Sequence, residues 1–242
     1  MNKFVIVRGG GDLATGVIHR LASAGFDVLV LEAEHPAAIR RQVSLSEAVY
    51  EGTATVEGLT ARLISDVSEM EAVWAAGEVP LLVDPEAKCL ETLKPAALVD
   101  AIIAKFNVGT HRGMASKTIA LGPGFVAGED VDVVIETSRG HKLGRVITEG
   151  SAKPNTGIPG IIGGYGKERV MHSPAEGKVP VLATITGIIR GLIRDGYPVT
   201  VGFKIADIDP RREELENCWL ISDKARCIAG SALEQVCAAV LK

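Results

Sequence analysis

The stretch Phe4-Val5-Ile6-Val7-Arg8-Gly9-Gly10-Gly11-Asp12-Leu13-Ala14-Thr15-Gly16 limits this chain more than any other. An apolar run ends in three glycines and passes straight into helical periodicity, with Val17, Leu21 and Ala24 on one stripe and Gly25 as the stop. A second apolar run, Asp27 to Leu31, closes in Glu32, so the segment reads as one βαβ unit. Gly9-x-Gly11-x-x-Ala14 fits the pattern in which the first glycine makes a tight turn and the second admits a pyrophosphate to the backbone. The small third residue lets helix pack on strand. The helix start offers free N–H groups and a positive dipole end to an anion. Glu32, 21 residues beyond Gly11, stands where a carboxylate reaches a ribose 2′-hydroxyl. Candidate cofactor contacts here are Gly9, Gly10, Gly11, Asp12, Ala14, Thr15 and Glu32. A carboxylate at Asp12 repels phosphate unless it caps the helix, and capping is its simpler role.

The 242 residues suffice for one large or two small domains with a real core. Twenty-seven glycines and eleven prolines exclude a wholly helical chain. Aromatic residues at 4% and a net charge of −4 argue against a general nucleic-acid binder, which needs a basic face and stacking rings. No apolar run approaches membrane length and no signal peptide precedes the first strand, so a cytoplasmic location without membrane contact is expected. Cys89, Cys218, Cys227 and Cys237 form no C-x-x-C pair and read as reduced thiols, those at 227 and 237 as small buried hydrophobes of a late helix. No metal site is expected.

Along the chain, His35 to Gln42 reads as a short helix, Ser44 to Gly52 as a loop or helical turn, and Ala61 to Ile64 as a strand. Ser65 or Asp66 caps a helix carrying Met70, Val73 and Trp74, which Gly77 ends. Val79 to Val83 reads as a strand, and Ala96 to Ala104 as a strand with a helix as the alternative. This alternation implies a mostly parallel, doubly wound sheet, with ligands at the strands' carboxyl ends. Thr118 to Leu121, Val131 to Glu136 and Leu143 to Ile147 are short strand candidates of a β-rich region. Ser151 to Gly166 is a long Gly/Pro stretch, either an active-site loop or an ordinary linker, and its length favours the first. Ile185 to Gly196 followed by Val199 to Ile205 has the strand-turn rhythm of biotinyl/lipoyl-type barrel-sandwich domains, without a lysine at the tight turn. Ser222 caps a final amphipathic helix through Ala225, Ile228, Ala232, Leu233, Val236 and Val240.

The fold expected is therefore α/β. A Rossmann-like nucleotide-binding domain spans 1–107, a β-rich middle region 108–168, a barrel-sandwich-like element 169–212, and a C-terminal helix packing on the core 213–242.

Polar clusters follow three of the apolar runs. In Lys105-Phe106-Asn107-Val108-Gly109-Thr110, Lys105 suits a phosphate, while Asn107 and Thr110 suit a base or pterin edge. Gly122-Pro123-Gly124 can offer backbone N–H donors. In Glu136-Thr137-Ser138-Arg139-Gly140-His141-Lys142-Leu143-Gly144-Arg145, the cations suit an anion grip, with Arg145 a cofactor contact. Glu136, Arg139 and His141 are the candidate catalytic set, Glu136 with His141 for acid–base work. Asp207 and Asp209 share one strand face as ligand contacts or as a strand end closed by Asp-Pro.

These clusters, in this order, resemble the YqeB-type family of selenium-dependent molybdenum hydroxylase maturation proteins. The matching stretches are Val7 to Gly16, Ser46 to Gly52, Val99 to Lys105, Ile119 to Phe125, Ile135 to His141, Asn155 to Gly160, Asp207 to Arg211 and Ile221 to Arg226. The resemblance implies a factor that prepares hydroxylases such as xanthine dehydrogenase, with the hydroxylase apoprotein as partner and a nucleotide or molybdopterin-type cofactor as ligand for selenium or sulfur transfer or insertion. It also implies a Rossmann part similar to that of XdhC-type insertion proteins. Against the family pattern, Gly177 to Thr184 is shortened by a strand pair. The competing readings are an NAD(P)-dependent oxidoreductase, with Glu32 selecting NAD, and a non-catalytic adaptor for the hydroxylase. Self-association into a homo-oligomer is left open.

Overall fold

The computed structural model describes residues 2–177 and 181–241. In chain order the elements are β1 (Phe4–Arg8), α1 (Asp12–Ser23), β2 (Asp27–Glu32), α2 (Ala48–Glu51), β3 (Thr53–Val56), β4 (Leu59–Ile64), α3 (Met70–Ala75), β5 (Val79–Val83) and β6 (Ala97–Asp100). There follow β7 (Thr118–Leu121), β8 (Val126–Ala127), β9 (Val133–Ile135), β10 (Val146–Ile147), β11 (Gly150–Ser151), β12 (Val170–His172), β13 (Ile188–Leu192), β14 (Lys204–Asp209) and α4 (Asp223–Val240).

One nine-stranded sheet runs β10-β9-β7-β6-β1-β2-β5-β4-β3. From β9 to β4 every pairing is parallel, and an antiparallel strand closes each edge. The expected boundary after residue 107 falls between β6 and β7, two neighbours in this sheet. Strand order reverses at β1, whose partners are β2 on one side and β6 on the other.

The runs that read as strands do so because both their faces are buried, as parallel strands require. Val5, Val7, Val28, Val30, Val99 and Ile119 meet α1 and α4, while Ile6, Leu29 and Leu98 meet the layer of Met70, Val73 and Ala87. Helix α1 buries Ala14, Val17, Ile18 and Leu21, and Gly25 at φ +83° ends it. Helix α4 starts at Ser222, whose side chain accepts the Ala225 N–H at 3.2 Å, and buries Ala225, Ile228, Ala229, Ala232 and Val236. Gly16 is the contact point of the two helices. A Cβ there would lie 2.9 Å from the Ala225 Cβ and 3.0 Å from its carbonyl oxygen. The capping expected before α3 is present, with Asp66 and Glu69 forming a reciprocal capping box.

A separate three-stranded antiparallel sheet, β12-β14-β13, carries its own core of Met171, Val199, Ile205, Ala206 and Ile208. It docks through the Leu192 N–H on the Ile39 carbonyl (2.8 Å) and through Arg194, which donates to Glu47 at 3.0 Å and lies over the Tyr50 ring.

Several expectations are corrected. His35 to Gln42 is not helical, because the Ile39 carbonyl is taken by the Leu192 N–H of β13; only Arg41–Val43 makes a 3₁₀ turn. The run expected from Val199 to Ile205 becomes a strand only at Lys204, after a turn in which the Phe203 N–H bonds Thr200. Of Leu143 to Ile147 only Val146–Ile147 pairs, since Leu143 and Gly144 turn the chain back onto Gly140 and Glu136. Strand β6 stops at Asp100, short of Ala104. The β3–β4 hairpin was not anticipated; its turn sets both Glu57 (φ +46°) and Gly58 (φ +84°) in the left-handed region. Cys227 is exposed on α4, not buried. Of the stretch expected to be shortened, 178–180 lie outside the described residues. Among the described residues, no helix is long and apolar enough to cross a membrane.

Candidate functional site

Because the central strands are parallel, their carboxyl ends share one edge of the sheet. The glycine loop leaves β1 there, Glu32 ends β2, the 101–110 loop leaves β6, Gly122 follows β7 and Glu136 follows β9. The polar clusters singled out along the chain thus converge in space.

In the loop itself, Gly9 has φ +95°, and a Cβ there would sit 3.1 Å from the backbone of Ala101 and Ile102. Gly10 is pressed against Ser46, whose N–H donates to the Gly10 carbonyl at 2.9 Å. The Thr15 hydroxyl donates to that carbonyl and accepts the Leu45 N–H, so Thr15 fastens the 44–47 turn to the loop. Gly11 caps α1 and is the open position, with nothing within 4 Å of where its Cβ would be. Ala14 is fully buried, as the third position of the pattern requires. Asp12 is the first helical residue rather than the cap. Its carboxylate accepts the Leu13 N–H at 2.8 Å and faces Arg40 at 3.5 Å.

Glu32 turns inward, accepting the Gly10 N–H at 2.7 Å and the Ala33 N–H at 2.8 Å. Burial raises its pKa against these two bonds, which favour the charged form.

The 101–110 loop is held from below by Arg8, 2% exposed at the end of β1. Its guanidinium donates to the Thr110 hydroxyl, to the Pro85 carbonyl at 2.6 Å and to the Val108 carbonyl at 3.4 Å, and lies 3.9 Å from Asp100. Thr110 in turn donates to Asp100 at 2.6 Å. Burial raises the Asp100 pKa, with Thr110, the Ile102 N–H and Arg8 opposing. Asn107 closes its own turn, accepting the Gly109 and Thr110 N–H groups and donating to the Thr110 carbonyl. Both Thr110 and Asn107 therefore have partners within the protein. Ile103 (φ +59°) and Lys105 (φ +71°) are held in the left-handed region, an expensive conformation for a β-branched residue. Beside them Phe106 stands 64% exposed, and Gly124 admits it: a Cβ at 124 would be 2.7 Å from the Phe106 Cα. Gly122 likewise makes room for Thr137.

At the far end of the edge, the turn from β9 to β10 borders a cleft of about 680 Å³ lined by Glu136, Arg139, His141, Lys142, Arg145 and Lys153, among others. Glu136 is 5% exposed and accepts the Ser138 N–H at 2.7 Å and the Lys153 N–H at 2.8 Å. Its bonds are to backbone, and His141 is exposed and not hydrogen-bonded to it among the described residues. Arg139 grips Asp223 bidentately at 2.7 and 2.9 Å, tying the turn to the start of α4. That pairing holds the Asp223 carboxyl down at about 2. Arg145 is exposed at the rim. Asp207 and Asp209 pair with Arg169 and Arg211, respectively.

Four residues near this edge escaped the sequence reading. Phe106 was noticed only as a neighbour of Lys105. Ser46 is 1% exposed against Gly10, and its hydroxyl has no partner among the described residues. Arg40, 8% exposed, comes from a stretch misread as a helix. Its Nε lacks an acceptor among the described residues, a cost of about 1–3 kcal/mol for a buried donor. Lys224, half-buried at the start of α4, feels both Asp12 and Glu136, and its pKa is lowered by burial.

No family model matches the chain, and no solved structure matches it. A curated relative does, sharing 47% identity over 255 residues. This chain is similar to YqeB of Escherichia coli (strain K12), an uncharacterized protein. The similarity covers 96% of this chain and 47% of YqeB, so the chain spans about half the length of that relative. It supports the YqeB-type family indicated by the motifs.

Proposed function

We propose that this chain binds a nucleotide, or the dinucleotide form of a molybdopterin-type cofactor, along the carboxyl edge of its sheet, as a maturation factor for selenium-dependent molybdenum hydroxylases. The observation that carries the reading is the placement of the glycine loop at the reversal of strand order. Leaving aside the added β4–β3 hairpin, the strands run β5-β2-β1-β6-β7-β9, the order of a Rossmann-type doubly wound sheet, and ligands of such sheets lie at that reversal. Within this reading the three-stranded β12-β14-β13 unit is the barrel-sandwich-like element, and the Rossmann part corresponds to that of XdhC-type proteins.

The residues present fit such a ligand. Gly11 leaves the approach to the α1 N-terminus open, and the cations of the β9–β10 turn suit a polyanion. The exposed Phe106 ring suits stacking of a flat head group. When bound, the cofactor would supply the metal-binding dithiolene and the selenium or sulfur chemistry of the hydroxylase. This chain's residues would bind and orient it for the apoprotein. The partner is the hydroxylase apoprotein, in the cytoplasm, where four free thiols persist.

A thermal-shift panel of NAD, NADP, ATP, CTP, CDP and molybdopterin cofactor, on the wild type and Gly11→Asp, tests this. Ligand at about 100 times its dissociation constant adds roughly 2.7 kcal/mol of stability. A shift with the cytidine or pterin ligands, lost in the variant, is the expected outcome. A shift with NAD alone would favour an oxidoreductase, and no shift at all would favour an adaptor.

A further inference from the structure

We propose that Arg40, Arg190 and Lys224 form a grip for a diphosphate group at the N-terminus of α1, and that none of the glycine-loop residues supplies the charge. The proposal rests on the reading of the glycine loop as a nucleotide site and names the part of the ligand recognised there.

Three elements meet at this seam. Arg40 precedes the turn that lies on the glycine loop, and its guanidinium is held at the α1 start by Asp12 (3.5 Å) and by the Leu220 carbonyl (3.2 Å). Arg190 stands at the bulge of β13, next to Gly191, which is packed so tightly on Ile39 that a Cβ would come within 2.7 Å of it. Lys224 is the second residue of α4, and Gly16 brings that helix start against α1. Both helices thus present their N-termini to the same edge, which favours an anion between them.

The charges do not balance. Arg211 occupies Asp209 at 3.0 and 2.8 Å, and Arg139 occupies Asp223. Glu136, another of the acids that Lys224 feels, already holds two backbone N–H groups. Asp12 is left facing Arg40 and acting on Lys224. Among the described residues neither Arg190 nor Lys224 has an ion-pair partner within 4 Å. Arg40, its side chain 9% exposed, keeps an unpartnered Nε beside the helix start. Burial lowers the Arg40 pKa, and the nearby Arg190 charge lowers it further. A group carrying two or more negative charges and several acceptor oxygens would offset the repulsion and give Arg190 and Lys224 partners, and a diphosphate is such a group. Cys218, buried beside the two arginines, would lie behind it.

The test measures the affinity of inorganic pyrophosphate, CDP and CMP by titration calorimetry, for the wild type, Arg190→Met, Lys224→Met, Arg190→Lys and Gly11→Asp. Circular dichroism confirms that each variant is folded. Pyrophosphate and CDP are expected to bind more tightly than CMP, and each Met variant to weaken both by about tenfold or more. Arg190→Lys should recover part of the loss, and added NaCl should weaken wild-type binding more than that of the Met variants. Pyrophosphate affinity unchanged in both Met variants, or no pyrophosphate binding by the wild type, overturns the grip. CDP binding lost in Gly11→Asp yet intact in both Met variants overturns it while leaving the glycine-loop site standing. Pyrophosphate bound through Arg190 and Lys224 without CDP binding supports the grip and removes the nucleotide reading.

Discussion

Replacing Asp100 by alanine should be among the most damaging single changes in the sheet, and the reason lies in what it leaves behind. Arg8 is 2% exposed, and arginine keeps its charge inside proteins. Without Asp100 it retains three neutral acceptors, the Thr110 hydroxyl and the carbonyls of Pro85 and Val108, and no counter-charge. Breaking a buried pair in this way costs about 3–5 kcal/mol. The converse change, Arg8→Met, should cost less, because a carboxyl can take up a proton. Burial already raises the Asp100 pKa above its unfolded value, and losing Arg8 raises it further. A raised folded pKa means stability that is present below the unfolded pKa and lost as pH rises through the folded one. The gap between Arg8→Met and wild type should therefore be wider at neutral pH than at a pH near the unfolded carboxyl value. The double variant should be less destabilised than the sum of the singles by more than about 1 kcal/mol. Urea unfolding of the four proteins at both pH values supplies the numbers. Asp100→Ala within about 1 kcal/mol of wild type, an additive cycle, or a gap that does not change with pH would each refute this account of the loop's anchor.

Two further outcomes follow from packing and exposure. Gly16→Leu gains about 1 kcal/mol of helix propensity but drives a side chain into the Ala225 backbone, for a net loss of about 1–2 kcal/mol. Gly230→Ala, on the open face of α4 with nothing within 4 Å, should instead gain up to about 1 kcal/mol; thermal melts of the pair give the contrast directly. Under native conditions a disulfide reagent should label the exposed Cys227 long before Cys89, whose thiol is pushed up to about 12 by burial and by the Asp84 carboxylate. Peptide mapping of the labelled protein reads the order.

Much of the sheet was legible because its strands are buried on both faces, so they appear as unbroken β-branched runs that need no partner to identify them. Both caps, Asp66 and Ser222, were legible for a similarly local reason. The hairpin of β3 and β4 was not, because Thr53 to Val56 is a half-exposed edge and its turn sets a glutamate in the left-handed region. Residues 35–42 misled because a long-range bond, the Leu192 N–H on Ile39, decides their conformation. The site followed the same division. Gly9, Gly11 and Ala14 are local signals and stand where the pattern puts them. Glu32 sits at the right distance in sequence, yet its carboxylate faces the loop's own amides. Arg40, Arg190 and Lys224 are separated by long stretches of chain and gather only through the docking of β13 and α4, so spacing gives no hint of them.

The contact between α1 and α4 has a consequence for how the chain comes to be folded. It joins residues about two hundred positions apart, and α4 is the layer that covers Val99, Ile119 and Ile135. Until that helix is made, the first βα unit has no complete apolar partner, and the strands from β6 to β9 keep one face bare. Contacts at such separation are slow to form and leave adhesive surface exposed meanwhile. A nascent chain paused before Ser222 would therefore be the species most in need of a holding chaperone.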